Sequence, residues 1–91
     1  MTDELMEFAG RTGQELFRLL AQRASEELSE QSDFDRFSAM LAAALIPIAE
    51  VLRDPIEEAQ DPNRMADRMI ELSSRQLRGL LEPVTSKARR E

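Results

Sequence analysis

Cysteine, histidine, tryptophan and tyrosine are all missing from these 91 residues. Without cysteine there is no disulfide framework and no thiolate ligand, which fits a reducing, cytoplasmic setting. Without histidine as well, the usual zinc, haem and copper sites have no donors. The commonest general base at neutral pH is gone, and with it every Cys–His and Ser–His–Asp relay. Residue type alone excludes those enzyme classes, and no metal or cofactor is expected.

Membrane signatures are also missing. The start, MTDELMEFAG, is acidic where a secretory signal would be basic, and no apolar segment follows it. The longest uncharged run, Phe37 to Ala49, is thirteen residues. That falls short of the ~18 needed to cross a bilayer, so no membrane span is expected. Alternating strand patterns and low-complexity tracts are absent throughout.

What is present bounds the answer. A chain of 10.4 kDa with 42% hydrophobic and 33% charged residues is neither disordered nor fibrous. At this length it makes one domain, burying roughly two-thirds of its unfolded surface. Such a core is thin, and small chains without disulfides or metals often gain burial by oligomerising.

The first apolar period runs from Asp3 to about Ser29. Leu5, Ala9, Gly13, Leu16 and Leu20 share one stripe, flanked by Met6, Phe8, Phe17, Leu19 and Ala24. The arc is about 200° wide, enough to meet neighbours on two sides. Gly10 and Gly13 each disfavour a helix interior by about 1 kcal/mol. Either the helix is continuous and its Ala9/Gly13 face admits a close backbone, or it breaks at Gly10 and restarts on a Thr12–Glu15 capping box. The continuous helix is the preferred reading.

Ser29 to Asp33 reads as a connection, with Ser32 capping a second helix through an Asp35 at its third position. Phe34, Phe37, Leu41, Leu45, Ile48 and Leu52 then recur at helical steps. Only Glu50 is charged between Ala39 and Leu52, and a helix apolar nearly all round predicts a buried, central element. Pro47 predicts a kink or break near Leu45–Ile46. Asp54-Pro55 and Asp61-Pro62 both read as helix starts, enclosing a short helical turn from Pro55 to Gln60.

The last helix is predicted from Pro62 to Glu82, with Pro83 ending it and a flexible polar tail over 83–91. Met65, Ala66, Met69, Ile70, Leu72, Leu77, Leu80 and Leu81 fill one half of its wheel. Arg64, Arg68, Arg75 and Arg78 form a basic stripe on the other, continued by Lys87, Arg89 and Arg90 and interrupted by Asp67 and Glu71.

Two acidic clusters, Glu26/Glu27/Glu30/Asp33/Asp35 and Asp54/Glu57/Glu58/Asp61, lack the spacing of a calcium loop and read as caps and a solvated face. Gly10-x-x-Gly13 lacks the preceding strand of a phosphate loop. Met40, Met65 and Met69 read as packing residues. Residues 1–61 carry fourteen acids against five bases, and 62–91 four acids against seven bases, giving −9 and +3 and the net −6. With no aromatic interleaved, the basic stripe predicts salt bridges along its helix and to the acidic half rather than nucleic-acid binding.

These readings converge on an all-α fold. Three main helices and a short connecting helical turn form a small bundle over 1–82, completed by homodimerisation. The expected function is a non-enzymatic regulator, adaptor or small chaperone that binds a protein partner. Arg64, Arg68, Arg75 and Arg78 are the candidate partner surface; Ala9, Gly13, Leu16 and Leu20 are the candidate dimer interface. The alternative is an acidic, phage-type inhibitor whose carboxylates mimic a nucleic acid and block a nucleic-acid-binding machine. A weaker third reading is an amphipathic protein on a lipid or polymer surface.

Overall fold

A computed structural model describes the backbone of residues 2–90 and the side chains of 2–88. Among them are three α-helices and no strand: α1 (Asp3–Glu27), α2 (Asp33–Glu57) and α3 (Pro62–Arg90). Each helix starts on a side-chain cap. The Thr2 hydroxyl accepts from the Leu5 N–H at 3.3 Å, Ser32 from Asp35 at 3.1 Å, and the Asp61 carboxylate from Arg64 at 3.1 Å. Each cap satisfies a backbone donor that the first turn leaves without a partner. Asp3 and Glu4 in α1, and Asp33 and Asp35 in α2, also place negative charge at the positive end of the helix dipole.

The described residues fall into two units, one ending at Ile48 and the other beginning at Ala49. The first is a helical hairpin of α1 and the leading part of α2. Its turn follows Leu28, whose N–H closes the last bond of α1 onto the Ala24 carbonyl at 2.9 Å. Ala24, at 6% exposure, is the one buried residue among those described. Leu20, Ala21 and Leu28 around it, and Arg36 and Met40 on α2, are half-buried. In the second unit the half-buried apolar residues lie either side of the turn after Glu57. Leu52, Ile56 and Ala59 precede it or lie within it, and Met65, Ala66 and Met69 follow.

Gly10 does not interrupt α1, as the preferred reading expects, and Thr2 caps the helix. Other expectations need correction. Neither Pro47 nor Pro55 breaks α2, and Asp54 lies inside the helix, accepting from the Glu58 N–H at 3.0 Å. The separate turn over Pro55–Gln60 is therefore absent: α2 simply ends at Glu57. Likewise α3 continues through Pro83 to Arg90, so residues 83–90 of the expected tail are helical; Glu91 and the side chains of Arg89 and Arg90 lie outside the described residues. Proline frees the carbonyl four residues earlier. Those residues, Ala43, Val51 and Gly79, are all exposed, so water can take the freed carbonyl.

The largest correction concerns α2, expected as a buried central helix. No residue of α2 is buried, and every residue from Leu41 to Val51 is exposed. The groove against α1 is lined on the α2 side by Ala39, Met40 and Ala43.

Candidate interaction surfaces

The Asp61 cap and Pro62 set where α3 begins and hence which side chains share a face. At 100° per residue Arg64, Arg68, Arg75 and Arg78 fall within an arc of about 80°. Arg75 is held by Glu71 at 2.6 Å, one turn earlier, with both side chains well exposed. Among the described residues Arg64, Arg68 and Arg78 make no ion pair. Arg68 and Arg75 line a hollow of about 300 Å³ together with Glu71, Met69 and Leu72. Two of the four expected arginines thus share a mixed polar and apolar hollow with an acidic neighbour, and Arg64 and Arg78 lie outside its lining.

The ion pairs among the described residues are local. The four pairs present are Arg23–Glu27, Arg36–Asp33, Arg53–Glu50 and Arg75–Glu71, each between residues three or four apart on one helix. Such pairs close without ordering anything beyond their own helix. Asp61 caps α3, and Glu26 accepts from the Gln22 amide at 3.1 Å. Among the described residues no group of acidic side chains is placed to hold a metal ion.

On α1 the four residues expected at a dimer interface separate. Leu20 is half-buried and lines a groove of about 180 Å³ against α2, with Ala24 and Leu28 on its own helix and Ala39, Met40 and Ala43 opposite. Ala9, Gly13 and Leu16 are exposed, and a Cβ added at Gly13 would meet nothing within 4 Å.

Sequence reasoning missed the exposed face of α2 as a surface. Phe34, Phe37, Leu41, Leu45 and Ile48 lie open on it. A signal existed in the division of large from small side chains, since Ala39 and Ala43 occupy the opposite side of the same helix.

No protein-family model, curated protein or solved structure matches this chain. Its surfaces are therefore read from their own chemistry. No helix among the described residues is long and apolar enough to cross a membrane. The arginine face is directly testable. Reversing Arg68 and Arg75 to glutamate removes one exposed ion pair, worth about 0.5 kcal/mol, and adds a like-charge neighbour of similar size. Helical circular dichroism should be unchanged, while association with an acidic partner surface should weaken. Binding that survives the reversal would make the stripe a solvated face only.

Proposed function

We propose that this chain is a non-enzymatic protein–protein interaction module, a regulator, adaptor or small chaperone, that works as a homodimer. One observation carries the reading: the apolar faces of its helices are uncovered. All four phenylalanines are at least 57% exposed, and large aliphatic side chains from Leu5 to Val84 are open beside them.

Apolar surface on this scale marks a face that meets another macromolecule. Removing even about 1,000 Å² of it from water contributes on the order of 25 kcal/mol before the costs of association. A symmetric pair is the commonest closed arrangement by which one chain covers its own faces. The missing histidine and cysteine support a binding rather than a catalytic role. Size exclusion coupled to light scattering, at low micromolar concentration, should give twice the 10.4 kDa chain mass. A monodisperse monomer would overturn the homodimer and assign the open faces to a different protein.

A further inference from the structure

The two ends of α3 differ in what they meet. Met65, Ala66 and Met69 near its start are half-buried beside the turn. Ser73 is half-buried too, and its hydroxyl donates to the Met69 carbonyl at 2.8 Å. From Ser74 to Thr85 every residue is exposed, although the helix continues unbroken.

This uncovered stretch sorts its side chains by kind. Leu77, Leu80, Leu81 and Val84 are 57%, 78%, 47% and 65% exposed. At 100° per residue they span an arc of about 100°. Arg78 lies about 60° beyond one edge of that arc, and Lys87 about 20° beyond the other. Glu82 lies about 150° from its centre. Residues 75–90 hold five bases against that single acid. Of the three helices, α3 segregates polar from apolar side chains most sharply while being the least apolar on average. That combination belongs to helices that lie in a bilayer interface, neither spanning it nor filling a core.

The placement of charge gives the surface its sign. Arg78 and Lys87 have apolar stems that can lie along the leucines while their charged heads reach phosphate. An embedded helix has headgroups on both of its sides, so cations are useful at both edges of the arc and an acid only on the far face. A protein groove could take the same four anchors, but it would have to supply acids on both rims. The net −9 of residues 1–61 does not forbid the contact, because salt screens exposed charges beyond about 10 Å.

We propose that the second half of α3, from Leu77 to Lys87, is a peripheral site for anionic phospholipid. The helix lies flat, with Leu77, Leu80, Leu81 and Val84 at the acyl boundary and Arg78 and Lys87 among the headgroups. The site goes beyond the protein-binding reading above and does not depend on whether two chains pair.

The chain has no tryptophan, so a single indole reports the embedding. Leu80→Trp replaces the most exposed of the four anchors. Gly79→Trp stands about 150° from the centre of the arc, where an added Cβ meets nothing within 4 Å. On vesicles of equimolar phosphatidylcholine and phosphatidylserine, the Leu80→Trp emission should move to shorter wavelength and lose its quenching by acrylamide. The Gly79→Trp emission should do neither, and an equal shift at both positions would overturn the assigned face. The unsubstituted chain should sediment with these vesicles at least about tenfold more tightly than with phosphatidylcholine alone. Arg78→Glu combined with Lys87→Glu, with helical circular dichroism retained, should weaken that binding at least about thirtyfold. Equal binding to both compositions, or binding that survives the double reversal, would overturn the anionic site. No binding of the unsubstituted chain to either vesicle would overturn the lipid site altogether, leave the four anchors to a protein groove, and not touch the dimer.

Discussion

Diluting the purified chain about a hundredfold should lower its melting midpoint by roughly 5–10 °C. Ala24 alone is buried among the described residues, and the remaining packing at the two turns is half-exposed. If the uncovered faces are closed by a second copy, unfolding releases two chains from one particle. Mass action then enters stability directly, at about 2.7 kcal/mol of dimer per hundredfold in concentration. For a particle of twice 91 residues, each kcal/mol corresponds to about 2–4 °C, which gives the stated shift. Differential scanning calorimetry across that concentration range is the measurement. A midpoint independent of concentration would show a stability set within one chain, and the homodimer would be lost with it.

Ala24→Glu should destabilise the α1–α2 hairpin by on the order of 3 kcal/mol. Ala24 sits at 6% exposure beside the groove that Leu20, Leu28, Ala39, Met40 and Ala43 line. A larger side chain there overpacks the contact, typically by about 1–3 kcal/mol. A carboxylate must in addition give up water, and the nearest base along the helix, Arg23, is already paired with Glu27 at 3.7 Å. Domains of this kind have only about 5–15 kcal/mol to lose. Ser25→Glu, one position away and exposed, places the same charge on the same helix and should change stability by no more than about 0.5 kcal/mol. Chemical denaturation followed by circular dichroism compares the two. Equal effects would show that Ala24 is not the closing contact of the hairpin.

Much of the secondary structure was legible because its signals are local. Ser32 and Asp61 were readable as caps, since a cap needs only its own side chain and a backbone N–H three residues on. The three apolar periods were readable because a helix repeats its faces regardless of what meets them. The prolines misled because their effect depends on solvent. Pro47, Pro55 and Pro83 each lie within a helix, and each frees the carbonyl of an exposed residue. Burial of α2 was also misjudged. An apolar wheel shows what a helix can bury, but its neighbours decide what it does bury, and the groove with α1 takes in only Ala39, Met40 and Ala43 of α2. Of the candidate arginines, Arg68 and Arg75 line one hollow on α3, and Arg64 and Arg78 do not. Leu20 could not be told from Leu16, since only the position of α2 separates them.

The short turn between Glu27 and Asp33 has a kinetic consequence. The groove residues of α1 and α2, from Leu20 to Ala43, are close in sequence, and local contacts of this kind form within microseconds to milliseconds. If two copies pair, the second must instead arrive by diffusion. At micromolar concentration and ordinary association rates that takes on the order of 0.1–10 s. Each newly made chain would then pass through an interval in which its apolar faces have no occupant. The length of that interval would vary inversely with how much of the chain is present. Scarcity would prolong the unpaired form, and it is the unpaired form that would be open to capture by some other apolar surface.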